Sequence, residues 1–221
     1  MPDPPARRTI LLGLPASAGQ LSSRPLGGSP FPPWAHSLKG DPMSKASSPD
    51  PAEVLTKFNA APSELEVLLS NLPASQLQIE AHPGGWTIAQ VAHHITDGDD
   101  LWKACILAGL GETVPVFGLE WYWSLPQDKW SQCWHYASRP IADSLGVFRA
   151  NRSITATILA RTPRWWARQV TIKSRSGELE TIALLDVVES QANHAMQHVE
   201  EIRKALAPPP RDEGASRPTT R

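Results

Sequence analysis

Apolar residues recur at helical spacing through most of the chain between Ser48 and Leu206. In the last such stretch, Val188, Ala192, Ala195, Val199, Ile202 and Leu206 fall on one stripe at 100° per residue. The pattern predicts four amphipathic helices. The first begins at "SPDPAEVL", where Asp50 is the N-cap, Pro51 takes the first helical position and Glu53 the capping-box position. Pro62 is expected to kink or interrupt this helix, because it removes a backbone donor, and "SELE" (Ser63 to Glu66) to re-cap it toward Leu72. A Pro-Gly-Gly turn, "HPGGW", then precedes Thr87, the N-cap of a second helix reaching Gly109 with the stripe Ile88, Val91, Ile95, Trp102 and Ile106. The third helix covers Pro140 to Arg161 and the fourth Ile182 to Leu206. Before the fourth, "WARQVTIKSRSGELETIAL" loses the helical period and alternates about Ser176-Gly177, which predicts a short hairpin or extended loop.

Residues 112–138 contain Pro115, Gly118, Pro126 and the tryptophans Trp121, Trp123, Trp130 and Trp134, and read as a long ordered excursion. Its aromatics serve better as a cap on the bundle or a covered face than as the wall of an apolar pocket, since large aromatics report burial first. Amphipathic helices without a repeated strand pattern or an internal repeat predict an all-α protein, a four-helix bundle. The expected organisation is a Pro/Gly/Ser-rich extension over 1–47, the bundle over 48–207 and a Pro-rich tail over 208–221. Within the extension, "RRTILLGLPASAG" has a loose likeness to an export signal, but Gly13 and Pro15 break its apolar run. A disordered extension with Met43 as the true initiator is the better reading.

Composition narrows the functional classes. The chain of 221 residues has a formal net charge of −1 and a pI near 6.7, with no basic run, so a nucleic-acid partner is not expected. No apolar stretch reaches the ~20 residues that span a bilayer, so no membrane partner is expected either. Cys105 and Cys133 form no CxxC pair and are too few for a disulfide framework. A soluble protein of a reducing compartment, the cytoplasm, is the resulting expectation. Cys105 falls on the apolar side of the second helix and reads as a core thiol.

The candidate chemistry lies in histidines. His194 and His198 stand one turn apart at the border of the fourth helix's stripe, about 80–120° from its centre, close enough to converge on one ion. On the second helix His94 lies about 70° from the stripe centre, whereas His93 lies about 170° away and is expected to face solvent. For His94 alone a buried, hydrogen-bonded imidazole is the commoner explanation, and the spacing of His194 and His198 alone is a weak signal. Three border imidazoles on two helices form a metal-ligand pattern. His82 and His135 have no partner pattern and read as loop residues.

The stretch "HPGGWTIAQVAHHITDGD" resembles the first histidine motif of the DinB/YfiT-like superfamily, in which a Gly-Gly-Trp turn opens a helix carrying a metal-binding histidine eight positions after the tryptophan. Trp86 plus eight is His94. "NHAMQHVEEI" is similar to the family's His-x-x-x-His helix and maps ligands onto His194 and His198. "APSELEVLLSNLPASQLQIEA" and "SGELETIALLDVV" also look like the family, so the likeness runs from Pro51 to Leu206. It implies an up-down-down-up bundle, a homodimer, and either a metal-dependent hydrolase or a low-molecular-weight thiol S-transferase. The chain departs from the pattern at Gln197 and Glu201, where further histidines are common, and at Thr96-Asp97-Gly98-Asp99, where the family tends to read Ala-Asp-Ser-His. The three ligands survive; the differing surroundings leave the small-molecule substrate open.

Three neutral imidazoles leave a divalent ion an open position, and an all-imidazole set favours zinc or nickel. Glu201, one turn beyond His198, and Asp97, one turn beyond His94, are the candidates to orient a ligand or move a proton. A solvated surface carboxylate explains Glu201 equally well and is the plainer reading of Asp97, whose wheel position is nearer the outside. The competing functional class is a non-catalytic, stress-associated bundle in which the ion only ties the second helix to the fourth.

Overall fold

Asp50 opens the first helix as expected, its carboxylate accepting from the Ala52 amide at 3.0 Å. This and everything below comes from a computed structural model, which describes residues 49–111 and 113–208. The readings made for the extension and for the tail past 208 lie outside the described residues. The order of elements is α1 (Pro51–Leu69), α2 (Ala74–Leu77), α3 (Ile88–Gly109), β1 (Val116–Phe117), α4 (Glu120–Trp123), α5 (Gln127–Cys133), α6 (Ile141–Arg161), β2 (Gln169–Lys173), β3 (Leu179–Ala183) and α7 (Leu184–Leu206).

The long helices α1, α3, α6 and α7 form the body. α1 packs on α6 and α7, and α3 packs on the same two from the other side. Apolar side chains meet in two clusters. One gathers Val54 and Phe58 from the start of α1 with Trp102, Cys105 and Ile106 from the end of α3, Leu159 from the end of α6, and Leu184 to Ala192 from the start of α7. The other joins Leu65 and Leu69 to Ile88, Val91 and Ile95, Phe148, and Val199 and Ile202. The candidate histidines of α3 and α7 lie beside the second cluster, His94 next to Ile95, His194 next to Ala195 and His198 next to Val199.

Pro62 does not interrupt α1, which runs unbroken to Leu69. The expected break fails for a physical reason. Proline at 62 deprives the Phe58 carbonyl of its i+4 donor, and that carbonyl accepts instead from Arg152 Nη1 at 3.1 Å. The re-capping at "SELE" is therefore unnecessary.

α3 starts at Thr87 with a complete capping box: Thr87 Oγ1 accepts from the Gln90 amide at 3.3 Å and Gln90 Oε1 from the Thr87 amide at 2.9 Å. The preceding turn uses its two glycines differently, Gly84 for its backbone conformation and Gly85 for the space the exposed His82 ring takes up. Gly84 is left-handed at φ 72°, and a Cβ on Gly85 would fall 2.0 Å from the His82 ring.

The fold is not strictly all-α. The hairpin foreseen about Ser176-Gly177 is β2–β3, antiparallel, with Gln169 opposite Ala183 and Lys173 opposite Leu179. Gly177, at φ 89°, makes its turn. Because Ile182 and Ala183 pair with β2, α7 begins at Leu184 rather than at Ile182. β1, from the tryptophan-rich excursion, joins β2 in parallel and completes a three-stranded sheet in the order β1-β2-β3. A strand of two residues has too little alternation to be seen in the sequence. Among the described residues, no helix is long and apolar enough to cross a membrane.

Candidate metal centre

His94, His194 and His198 come together. Each offers one ring nitrogen, and these nitrogens all lie within 4.8 Å of one another. The rings meet edge to face: His94 is 5.3 Å from each of the other two at 87–88°, and His194 and His198 are 4.7 Å apart at 81°. Perpendicular rings converge through their nitrogens instead of stacking. His198 Nε2 stands 3.2 Å from His194 Nε2.

The hydrogen bond on the far side of His198 sets its tautomer. Glu201 Oε2 lies 2.6 Å from Nδ1. That bond holds the Glu201 carboxyl down at about 2, aided by the His198 charge and the Gln197 amide, which donates to Oε1 at 3.0 Å. An ionised carboxylate only accepts, so the Glu201 bond holds a proton on Nδ1 and leaves Nε2 as the nitrogen that faces the cluster. Burial pushes His94 down to about 3, with the His198 charge adding to it. His194 is held well below the usual histidine range by burial first and then by His198, His94 and Arg152. His94 and His194 are therefore neutral at pH 7, the state a metal needs. Three imidazoles converging without a carboxylate among them fit a borderline-soft divalent ion.

Neighbouring residues shape the site. Trp86, from the turn before α3, sets its ring edge-on to His94 at 5.1 Å. Gly98, one turn beyond His94, leaves the flank of His194 open: outside its own helix, a Cβ there would meet only His194 Cε1, at 4.0 Å.

His93 is not at the surface. It is fully buried, and its Nδ1 takes bonds from Ser144 Oγ at 2.8 Å and Arg139 Nε at 3.3 Å. Burial and the Arg139 charge push it down to about 4. A wheel drawn on α3 alone could not show that α6 and the end of the excursion cover its back.

Asp97 is committed elsewhere. Both of its oxygens accept from Arg139, at 3.0 and 3.1 Å, and Arg139 Nη2 also donates to the His93 carbonyl at 3.3 Å. The guanidinium lies over the Tyr136 ring at 4.9 Å. The geometry gives Asp97 the task of fastening the excursion to α3. Glu201 alone of the two candidate carboxylates touches a candidate ligand.

The excursion's aromatics pack on one another. Trp130 and Trp134 lie 5.0 Å apart, Tyr122 stacks on both at 5.9 Å, and Trp121 is 53% exposed at the edge. Trp134 leads to Tyr136 (6.3 Å), Tyr136 to Trp86 (6.0 Å), and Trp86 to His94. The cluster thus reaches the site through one tryptophan, Trp86. Cys105 is wholly buried, its thiol pushed up to about 12, whereas Cys133 is exposed.

Arg152 escaped the sequence reading. It is 1% exposed and bonds Asp99, the Phe58 carbonyl and the Gln191 carbonyl. The signal was available: Phe148, Arg152, Thr155 and Leu159 are spaced 4, 3 and 4 apart, placing a charge on a core stripe.

Comparison with known proteins agrees with this geometry. The family model of the DinB superfamily matches residues 57–202. A protein of Geobacillus kaustophilus named "Putative metal-dependent hydrolase" is 25% identical over 153 residues, covering 69% of this chain and 83% of its own. Among solved structures, YfiT from Bacillus subtilis, described as "a probable metal-dependent hydrolase with an unusual four-helix bundle topology", superposes with a TM-score of 0.63 at 19% identity. That match covers 75% of this chain and 91% of YfiT.

Proposed function

The chain belongs to the DinB superfamily, and from that premise we propose that it is a metal-dependent hydrolase whose ion is held by His94, His194 and His198. The observation that carries this reading is the convergence of three ring nitrogens within 4.8 Å, one of them oriented by Glu201. The names given to the Geobacillus and Bacillus relatives support the same class. When bound, a divalent ion with three neutral ligands supplies Lewis acidity at an open position, toward a water or a thiol.

The chain's own residues do the rest. Glu201 holds the proton on His198 Nδ1 and keeps the opposite nitrogen free, and of the two candidate carboxylates it is the one in contact with a ligand. Trp86 fixes the plane of His94 and shields it. Gly98 leaves room beside His194 for a small substrate. We read zinc or nickel as the native ion, a homodimer in the cytoplasm as the working form, and 48–207 as the folded domain. The cluster composition supports an up-down-down-up order, since the starts of α1 and α7 meet the ends of α3 and α6. Transfer to a low-molecular-weight thiol would use the same three ligands.

The test is metal analysis of the purified protein, then a screen of ester and amide hydrolysis and of thiol conjugation, each run beside His94→Ala. One ion per chain with hydrolysis that disappears in His94→Ala supports the proposal. Conjugation without hydrolysis would move the protein to the S-transferases. One tightly held ion with neither activity would make it the structural-metal bundle.

A further inference from the structure

Arg152 binds all the other long helices at once. From α6 it reaches Asp99 on α3 through Nε, the Phe58 carbonyl on α1 at 3.1 Å and the Gln191 carbonyl on α7 at 3.0 Å. Its guanidinium lies 3.7 Å over the Phe58 ring and 5.1 Å from Phe148. Arg152 and Asp99 are 1% and 4% exposed, so the pair is cut off from water.

Such a pair is a poor device for stability alone. Desolvating two charges offsets most of their attraction, and apolar residues of similar size in their place commonly leave a fold as stable or more so. What the latch does secure is position. Asp99 lies five residues from His94 on α3, and Gln191 lies three residues before His194 on α7. One guanidinium therefore pins the two ligand-bearing helices to each other roughly 5–8 Å along their axes from the ligands. Metal–ligand distances tolerate only about 0.2 Å, so a small slide of α7 against α3 separates His194 and His198 from His94. Pro62 belongs to the same device, because it leaves the Phe58 carbonyl free for Arg152.

We propose that Arg152 is a positioning residue of the metal centre: with Asp99 and the Phe58 carbonyl exposed by Pro62, it sets the register of α7 on α3 at which the three histidines converge. This rests on the three-histidine reading above. Its reach is wider, since it assigns a role to a charge buried in the core whose hydrogen bonds go to Asp99 and two helix carbonyls rather than to the ligands.

The experiment measures zinc affinity by competition with a chromogenic chelator, the cobalt absorption spectrum, and thermal melting of metal-free full-length protein. The main variant is Pro62→Ala/Asp99→Val/Arg152→Met, which removes both charges and restores the Phe58 carbonyl's helical donor, so that no buried group is orphaned. Expected are a folded, cooperatively melting metal-free protein, zinc affinity reduced at least tenfold, and a cobalt spectrum altered in band position or intensity. Pro62→Ala alone, which gives the Phe58 carbonyl a helical donor that competes with Arg152, should weaken affinity measurably but less than the triple variant. Arg152→Lys keeps a cation for Asp99 but cannot fork to three partners, and should fold with affinity several-fold weaker. Should the triple variant fail to fold, Arg152→Lys decides the matter. Wild-type zinc affinity and an unchanged cobalt spectrum in a folded latch variant would overturn the proposal while leaving the three-histidine centre standing. Absence of stoichiometric zinc binding in the wild type would overturn the centre itself.

Discussion

His198 Nδ1 donates to Glu201 Oε2, 2.6 Å away, and its opposite nitrogen, Nε2, thereby faces His194, 3.2 Å on the other side. One carboxylate decides which nitrogen of the imidazole can act as a ligand. Glu201→Ala should leave the fold intact and weaken metal binding about 10–100-fold, the usual consequence of losing such a partner. Glu201→Gln, which can still accept through its amide oxygen, should lose less. Competition titrations on both variants check the order; equal affinity in Glu201→Ala and wild type would remove Glu201 from the site.

The adjacent histidines should separate cleanly. His93→Ala deletes a buried imidazole held by Ser144 and Arg139, at a cost of about 2–3 kcal/mol, which corresponds to a melting-temperature drop of roughly 4–12 °C. Metal stoichiometry should not change. His94→Ala should show the reverse pattern, with metal lost and a smaller effect on the metal-free melting temperature. Melting curves and metal content on the two variants make the comparison.

Asp97 provides a matching control on the neighbouring carboxylate. Because both its oxygens are taken by Arg139, Asp97→Ala should loosen the docking of the excursion and lower stability while keeping metal affinity within about twofold. Hydrogen exchange should rise first over the segment bearing Trp130, Trp134 and Tyr136. A large loss of affinity without that local opening would return Asp97 to the metal site.

These contrasts show where the sequence is a sufficient guide. Thr87 marks the start of α3 by local chemistry alone, and seven residues on, the helical period turns His94 inward. His194 and His198 follow from spacing on one stripe. His93 could not be placed this way: its burial depends on Ser144, Tyr136 and Arg139, more than forty positions later. Pro62 misled for the same reason, since the donor that compensates it is Arg152, on another helix. β1 is made by pairing with β2 rather than by its own two residues. Local signals fix caps, turns and stripes; what covers the back of a helix is long-range information.

Burial of Cys105 gives a stability signature on the alkaline side. Its thiol is pushed up to about 12 from an ordinary 9.0, so the folded state favours the protonated form. That contribution is complete below pH 9 and is lost as pH rises from there toward 12, when the unfolded thiol ionises and the folded one does not. At pH 10 the loss is about 1.4 kcal/mol. Urea unfolding at pH 8 and pH 10 should show this difference in wild type and lack that part of it in Cys105→Val. Alkylation of the native protein near pH 8 should modify Cys133 and spare Cys105 until denaturant is added.

The central claim is that His94 on α3 and His194 and His198 on α7 share one ion, and X-ray absorption at the zinc edge tests it most directly. Full-length protein reconstituted with one equivalent of zinc should show nitrogen and oxygen neighbours at about 2.0–2.1 Å, with the outer-shell scattering of three imidazoles. The same spectrum from His94→Ala should lose one imidazole or the bound ion altogether. Two or fewer imidazoles in the wild type, or a sulfur shell near 2.3 Å, would contradict the three-histidine centre.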